Sequence, residues 1–461
     1  MTERALETAA AHATQFLRGL PERPVAASAG VEELRARLGG PLPEHPSDPA
    51  EVVAQLAKLA DDGLVASAGP RYFGFVVGGS LPAALAADWL AAAWDQNAGL
   101  FVLGPAAATV EDVAAGWLTE LLGLPATATC GFVTGGLGAN FSGLAAARSH
   151  VLARAGWDVE RDGLVGAPPV EVVVGAERHV TIDVALRYLG LGSGRVRVVP
   201  ADGQGRMDGA ALAEVVAGLE GPAIVCAQAG NVNTGAFDPL PAICAAAHDH
   251  GAWVHVDGAF GLWAGASPAR RHLVAGVEQA DSWATDAHKW LNVPYDSGLA
   301  IVADGEAHAA AMSAVADYLV GPSDGGLTRT PEMSRRGRAV PVYAVLRHLG
   351  RSGLADMIER NCAQASRFAG AVAGLEGAAV LNDVVLNQVL VRFDDSDDVT
   401  AAVVEGVVRS GEAWLGGTVW HGMGAARVSF SNWSTTDDDV DRLVAAMAEA
   451  LVAARPEAPV R

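Results

Sequence analysis

The chain has 461 residues, of which 51% are hydrophobic and 18% charged, so it is long enough for two or three folding units and is not disordered in composition. Its formal net charge of −21 at pH 7 argues against nucleic acid or an anionic membrane as a partner. No stretch approaches about 18 unbroken apolar residues, so we expect no membrane span.

The N-terminal part, residues 1–68, has helical patterns interrupted by a proline-rich segment. Its start is an amphipathic pattern of mixed charge and does not resemble a signal peptide. The four cysteines lie in apolar runs without CxxC spacing, which is typical of buried thiols in a reducing compartment. They are Cys130, Cys226, Cys244 and Cys362. We therefore expect a cytoplasmic protein.

The next segment, "TVEDVAAGWLTELLGLP", predicts a helix that Thr109 caps, with Asp112 three residues later. Beyond it, short apolar runs alternate with helix-like segments. The runs are 170–175, 195–200, 222–230, 252–258, 281–286 and 297–304. They are typical of strands buried on both faces, so we expect an α/β domain with a largely parallel sheet.

After about residue 340 the pattern changes to a long helical stretch, strand-like segments and an acid-capped helix at "TTDDDVDRL". This indicates a small C-terminal α+β domain. We therefore predict three parts: an N-terminal helical segment over 1–75, a large α/β domain over 76–335 and a small domain over 336–461.

Lysine is almost absent, because Lys58 and Lys289 are the only two among 32 basic Lys and Arg residues. Arginine can replace a surface lysine, but it stays charged and cannot attack a carbonyl. Lys58 falls on the polar face of an amphipathic helix, where its role is routine. Lys289 is therefore a candidate nucleophile.

Polar residues cluster at the predicted strand ends, where ligands gather in parallel α/β sheets. They are His179, Asn231, Asn233, Asp257, Asp286, His288 and Lys289. "TGGLGAN", residues 134–140, follows an apolar run and opens a helix. It lacks both the GK[ST] ending of a Walker A loop and the GxGxxG pattern of a dinucleotide site.

Together these residues fit one cofactor, pyridoxal 5'-phosphate. It needs an amine for its aldehyde, an acid for its ring nitrogen, a flat group against its ring and a phosphate cradle. Lys289, Asp257 and His179 can supply the first three. Backbone N–H groups of "TGGLGAN" can bind the phosphate.

Metal binding is the competing interpretation, because His248, His250 and His255 precede Asp257. This segment passes from a helix end into a strand, so its side chains would diverge. It also lacks the HExxH and paired-Cys patterns, and we expect no metal site.

"HVDGAFG" and, about thirty residues later, "DAHKWLNVPYDSG" resemble the group II pyridoxal-phosphate decarboxylases. That family includes aromatic-L-amino-acid, glutamate, tyrosine and diaminobutyrate decarboxylases. "PRYFGFVVGG", "TGGLGAN", "GAERHVTI" and "PEMSRRGRAVPVYAVLRHLG" follow the family's order, so the resemblance runs from about residue 50 to the C-terminus. It implies fold type I, with a mostly parallel seven-stranded sheet in the large domain, a small α+β C-terminal domain and a homodimer with shared active sites.

The resemblance also implies a role for each residue. Lys289 would be the Schiff-base lysine, Asp257 the pyridinium partner and His179 the stacking ring, with His288 catalytic beside the lysine. The implied cofactor contacts are Thr134, Gly135, Gly136, Leu137, His179, Asn231, Asp257, Ala259, Asp286, His288, Lys289 and Ser334.

The implied substrate pocket includes Tyr72 and Phe73 of "PRYFGF", together with Phe101 and Leu103, which would reach into the partner's pocket. Ser334 would contact the partner's phosphate. The aromatic residues suggest a substrate with an apolar or aromatic side chain, although ordinary core packing also explains them.

Two departures from the family matter. Leu137 stands where the phosphate cradle often has Ser or Thr. Many members also have a loop tyrosine that protonates the α-carbon after CO2 leaves, whereas the matching segment, 318–334, has only Tyr318 at its start. In plant relatives, loss of that tyrosine accompanies oxidative conversion of amino acids to aldehydes. His288 or His179 would have to donate the proton instead.

We therefore predict decarboxylation of an L-amino acid to an amine and CO2. Three alternatives stay open: oxidative deamination to an aldehyde, another carbon–carbon cleavage or tailoring reaction, and a cofactor-binding protein without turnover. A nucleotide-dependent dehydrogenase is disfavoured for want of a glycine fingerprint.

Overall fold

The computed structural model describes residues 2–313 and 326–455. Its α-helices are α1 (Thr2–Gly19), α2 (Val31–Leu38), α3 (Pro49–Ala60), α4 (Pro82–Trp94), α5 (Pro105–Leu122), α6 (Gly136–Arg154), α7 (Val159–Asp162), α8 (Val180–Tyr188), α9 (Gly209–Ala217), α10 (Leu240–Asp249), α11 (Gly305–Met312), α12 (Ala339–Val372), α13 (Asp397–Ser410) and α14 (Asp437–Ala454). Its strands are β1 (Thr129–Val133), β2 (Glu171–Gly175), β3 (Arg197–Val199), β4 (Ala223–Gln228), β5 (Trp253–Asp257), β6 (Ser282–Asp286), β7 (Gly298–Val302), β8 (Ala378–Val380), β9 (Gln388–Phe393), β10 (Gly416–Trp420) and β11 (Met423–Ser429).

Seven strands form one sheet in the order β1-β7-β6-β5-β4-β2-β3. Neighbours from β6 to β3 pair in parallel, whereas β7 runs antiparallel to both β6 and β1. Every residue of β4, β5, β6 and β7 is buried, as expected for strands covered on both faces. The predicted mostly parallel seven-stranded sheet is confirmed, and each predicted apolar run contains one of its strands.

This topology brings six carboxyl ends to the same edge of the sheet. They are the ends of β1 to β6. The strands β2 to β6 are parallel to one another, and β1 shares their direction because β1 and β6 both run antiparallel to the β7 strand that separates them. The polar residues that follow these strands in sequence therefore lie along one edge.

The chain divides into two compact units. The larger unit contains this sheet and comprises the described residues within 80–365 and 382–389. The division at residues 75 and 335 that the sequence suggests stays a prediction.

The second unit is discontinuous and comprises the described residues within 1–79, 366–381 and 390–461. Tyr72 stacks on Trp414 with ring centroids 4.9 Å apart, and Phe73 packs against Phe430 at 5.2 Å. The N-terminal segment and the C-terminal chain therefore share one hydrophobic core. A small sheet of order β10-β11-β9-β8 confirms the predicted C-terminal α+β character.

Two predicted helix caps have different outcomes. Thr436 and Asp439 form a reciprocal capping box at the start of α14, as the acidic segment predicts. The cap predicted at Thr109 is wrong, because α5 begins four residues earlier, at Pro105, whose fixed φ suits a first helical turn. Thr109 instead donates its hydroxyl hydrogen to the Pro105 carbonyl oxygen at 2.8 Å.

All four cysteines are free and buried, and burial raises the pKa of each thiol to about 12. In the described part of the chain, no helix is long and apolar enough to cross a membrane.

The buried His308 makes the folded state sensitive to acid. Its Nδ1 lies 2.8 Å from Thr129 Oγ1, and burial lowers its pKa to about 4, with Arg329 adding to the effect. An unfolded histidine has a pKa near ~6.5, so between these values the unfolded chain binds a proton that the folded chain does not. This difference destabilises the folded state by about 2 kcal/mol at pH 5.

We therefore expect the melting temperature to fall less between pH 7 and pH 5 in His308→Gln than in the unmodified chain. Differential scanning fluorimetry at both pH values measures this. The exposed His45→Gln is the control, and it should keep the full acid effect. Equal falls in all three proteins would contradict the assignment to His308.

Candidate active site

Lys289 lies just beyond the carboxyl end of β6, in the loop that leads to β7. Its Nζ is 3.3 Å from Oδ2 of Asp286, the last residue of that fully buried strand. The lysine side chain is 19% exposed, whereas Asp286 is almost fully buried. The amine is thus sheltered, oriented by a carboxylate and still within reach of a small molecule. Lys58, by contrast, is exposed on α3.

His288 is buried beside this pair. Its Nδ1 accepts a hydrogen bond from the Ser297 N–H at 3.2 Å, and its Nε2 lies 3.7 Å from Asp286 Oδ1. Burial lowers the pKa of His288 and Lys289 adds to this, while Asp286 opposes it. In its neutral form, His288 therefore carries its proton on Nε2. The ring of Tyr295 covers it, with centroids 4.4 Å apart.

The glycines of "TGGLGAN" leave room next to Asp286 and His288. A Cβ on Gly135 would lie 3.0 Å from His288 Cε1, and a Cβ on Gly136 would lie 3.0 Å from Asp286 Oδ2. Gly136 begins α6, and the N–H groups of a first helical turn have no partner within their helix. The helix end is therefore a place where an anionic group can approach the backbone.

Two buried polar atoms beside this helix end have no hydrogen-bond partner among the described residues. They are Asp286 Oδ1 and Ser297 Oγ, on either side of His288. Because buried polar atoms are nearly always satisfied, this part of the chain fits a bound polar group.

The side chains of Thr134 and Leu137, both from "TGGLGAN", lie in different environments. Thr134 is exposed at the edge. Leu137 is partly buried, and it packs against the hydrophobic cluster that includes Leu144 and Ile182. This accounts for an apolar residue at a position where a hydroxyl would otherwise be expected.

Asp257 and His179 line the same cavity, together with Gly175, Arg178, Cys226 and Gln228. Asp257 ends β5 and is buried, accepting hydrogen bonds from Asn140 Nδ2 at 3.1 Å and from the Ala259 N–H at 3.2 Å. His179 caps α8, and its Nδ1 accepts from the Thr181 N–H at 3.3 Å. The acid and the aromatic ring predicted from the sequence thus face one space.

Asn231 and Ala259 hold loops at the same edge. Asn231 Oδ1 accepts from the N–H groups of Asn233 and Thr234, and its Nδ2 donates to the Glu177 carbonyl at 3.2 Å. The Ala259 carbonyl accepts from the Asp286 N–H at 2.9 Å. Ala259 thereby links the ends of β5 and β6.

The other predicted site residues lie elsewhere in the single chain. Phe101 and Leu103 belong to an exposed 3-10 helix over Phe101–Leu103, and Ser334 is also exposed. Tyr72 and Phe73 are buried in the second unit, where they pack on Trp414 and Phe430. Tyr318 lies outside the described residues.

The structure adds three side chains to the site that were not predicted from the sequence to belong to it. Asn140 and His255 form buried hydrogen bonds behind Asp257, and Tyr295 covers His288. Asn140 was visible as the last residue of "TGGLGAN", but nothing in the sequence linked it to Asp257. Among the described residues, no group of histidines, cysteines and acids could hold a metal, including the cluster around His255.

Residues 32–394 match the family described as the pyridoxal-dependent decarboxylase conserved domain. The chain belongs to this family. It is a carboxy-lyase, and its cofactor is pyridoxal 5'-phosphate. When bound, this cofactor supplies an aldehyde that reacts with amines and a ring that accepts electrons from a breaking bond at the α-carbon.

Known relatives of this decarboxylase include proteins with different activities. The chain is 30% identical over 426 residues to L-2,4-diaminobutyrate decarboxylase of Rhizobium meliloti, and the match covers 89% of this chain and 83% of the relative. It is 26% identical over 458 residues to 4-hydroxyphenylacetaldehyde synthase of Rhodiola rosea, covering 93% and 91%. A crystal structure of Oryza sativa TDC with PLP and tryptamine has the same fold, with a TM-score of 0.91, 24% identity and 98% of both chains covered.

The two lysines allow a matched test of the decarboxylase. We expect Lys289→Ala and Lys289→Arg to remove the visible absorption of the bound cofactor and to lower turnover at least about 10³-fold, because neither residue offers a neutral amine. Lys58→Arg should retain both. Absorption spectra and steady-state rates measure the outcome. Retained absorption in Lys289→Arg would contradict the assignment of Lys289.

Proposed function

We propose that the chain decarboxylates an L-amino acid with an apolar or aromatic side chain, releasing an amine and CO2. The observation that carries this proposal is the convergence of Lys289, Asp257 and His179 at one edge of a parallel sheet in a member of this family. Phe101 and Leu103, which the larger unit exposes, are the proposed source of the side-chain preference.

We propose that the cofactor is held by four groups. Lys289 binds its aldehyde, Asp257 its ring nitrogen and His179 the face of its ring. The N-terminus of α6, with Thr134 and the Gly135–Gly136 main chain, receives the phosphate. The unpartnered buried oxygen of Asp286 and the space at the glycines support this placement.

A proton must replace CO2 at the α-carbon, and His288 is the proposed donor. It lies next to Lys289 in sequence, and its neutral form carries the proton on Nε2, on the side of Asp286. Burial lowers the pKa of His288, so the ring has to take up a second proton before it can act as the acid and deliver a proton to the α-carbon, after which it is neutral again.

Oxidative deamination is the second candidate. The similarity to an aldehyde synthase and the absence of a second tyrosine from segment 318–334 both favour it. In that reaction, O2 and water convert the amino acid to aldehyde, CO2, ammonia and hydrogen peroxide. The two reactions share the loss of CO2 and differ in whether the remaining carbon is protonated or oxidised.

We also propose a cytoplasmic homodimer with shared active sites. The larger unit exposes Trp89, Leu90 and Trp94 on α4, and the nearby 3-10 helix exposes Phe101, Val102 and Leu103. Apolar surface on this scale is typical of an interface. The four free, buried thiols support a reducing compartment.

The products of an amino-acid panel test the function. We expect equimolar amine and CO2, with turnover about 10-fold or more faster for tryptophan, tyrosine, phenylalanine or leucine than for 2,4-diaminobutyrate, because an apolar pocket does not solvate a second ammonium group. Mass spectrometry identifies the products, and a peroxide assay detects oxidation. Aldehyde with ammonia and peroxide would overturn simple decarboxylation in favour of the second candidate.

A charged residue on the apolar surface tests the dimer. Trp94 is 52% exposed, and we expect Trp94→Asp to shift the chain to a monomer and lower activity, because a carboxylate would have to be buried in the interface. Val165→Asp is the matched control, since Val165 is 94% exposed elsewhere in the same unit. Light scattering coupled to gel filtration measures the mass. A monomeric unmodified chain would contradict the proposal.

A further inference from the structure

A chain of buried hydrogen bonds runs behind Asp257. Trp253 Nε1 donates to Ser282 Oγ at 2.9 Å, and Ser282 Oγ lies 2.8 Å from His255 Nδ1. His255 Nε2 lies 2.9 Å from Asn140 Oδ1, and Asn140 Nδ2 donates to Asp257 Oδ2 at 3.1 Å. All five side chains are buried.

This series of hydrogen bonds branches at Asn140. The same Nδ2 donates to Thr181 Oγ1 at 3.1 Å, and Thr181 Oγ1 lies 2.8 Å from Nδ1 of His179. One amide therefore connects to both groups proposed to contact the cofactor ring: directly to Asp257, and through one hydroxyl to His179.

The donor and the acceptor in each of these hydrogen bonds follow from the groups at the two ends of the series, Asp257 and Trp253. An ionised Asp257 only accepts, so Asn140 must present its NH2 to it and its oxygen to His255. His255 Nε2 must then donate. Burial lowers the pKa of His255 to about 4, against the opposing effect of Asp257, so the ring is neutral and its Nδ1 must accept from Ser282. The indole N–H of Trp253, which can only donate, completes the sequence.

The hydrogen bonds around His179 fix its tautomer in the same way. Both hydrogens of the Asn140 amide are used, one on Asp257 and one on Thr181. The Thr181 N–H donates to His179 Nδ1, so that nitrogen carries no proton and the Thr181 hydroxyl can only donate to it. A neutral His179 then carries its proton on Nε2.

The packing of α6 against β5 makes room for this arrangement. Gly143 lies one turn after Asn140 on α6, and a Cβ there would come within 2.8 Å of His255 Cε1 and 2.9 Å of its Nδ1. A side chain at position 143 would thus displace the imidazole from its two partners.

We propose that Asn140 is a positioning residue that orients Asp257 and helps to hold His179 in one tautomer, through a one-directional hydrogen-bond chain fixed by His255, Ser282 and Trp253. This inference rests on the cofactor roles proposed above for Asp257 and His179. A pyridine nitrogen that shares a proton with Asp257 gives the ring positive character. A cationic imidazole against that ring would repel it, whereas a neutral one does not.

The distinctive consequence is a defined tautomer at two histidines, which can be observed without turnover. We expect two-bond proton–nitrogen NMR spectra of the cofactor-free, 15N-histidine-labelled full chain to show His255 and His179 as neutral Nε2–H tautomers at pH 7. His255→Gln and His179→Gln assign the two signals among the 12 histidines. An Nδ1–H tautomer at His255 would overturn the proposal.

A matched pair of variants at Thr181 tests the branch with little change in packing. Thr181→Val removes the hydroxyl and keeps the shape, so His179 Nδ1 retains only its bond from the backbone N–H; the Nδ1 signal should shift and the dissociation constant of pyridoxal phosphate should rise about 10-fold. Thr181→Ser restores the hydroxyl and should restore both values. Identical spectra and affinities for the Val and Ser variants would overturn the branch.

Asn140→Asp tests the branch point itself. It places a second carboxyl group against Asp257, and we expect weaker cofactor binding, by 10-fold or more, and a shifted pH dependence of the cofactor absorption, because two adjacent carboxylates cannot both ionise readily. Unchanged binding and pH dependence would contradict the role of Asn140. If no amino acid is turned over, the NMR result still decides this inference, whereas the product panel decides the proposed function.

Discussion

Parallel pairing of the central strands is the constraint on which the site depends. Each parallel strand delivers its carboxyl end to the same edge, so residues more than a hundred positions apart in sequence, such as His179 and Lys289, share that edge. The strands are buried on both faces and cannot easily shift register, because a slip would expose apolar side chains. The geometry of the polar residues is therefore fixed by hydrophobic packing beneath them.

The electrostatics of the site follow from its burial. Asp286 and Asp257 are both buried, yet each has a different partner: a lysine amine for Asp286 and two N–H donors for Asp257. Burying a carboxylate without such partners would be very costly. The edge thus holds two buried carboxyl groups with polar partners, while burial lowers the pKa of the neighbouring His288 imidazole and favours its neutral form.

The sequence predicted the fold well where local pattern and tertiary environment agree. Each central strand lies within a predicted apolar run, because burial on both faces makes the run continuous. The α5 cap was misplaced because Pro105 starts the helix before the hydrophobic periodicity becomes visible. Asn140 and His255 could not be connected, since their contact depends on how closely α6 approaches β5, and that distance is set by Gly143. The Leu137 side chain packs against a hydrophobic cluster, and the phosphate contact at this position stays a prediction.

The discontinuous unit has a consequence for biosynthesis. Tyr72 and Phe73 reach their partners Trp414 and Phe430 only after more than 340 further residues have been made. At roughly 5–20 residues per second, the aromatic segment waits on the order of 20 s to a minute at the ribosome before its core can close. During that interval its apolar surface is a natural binding site for chaperones that act on nascent chains.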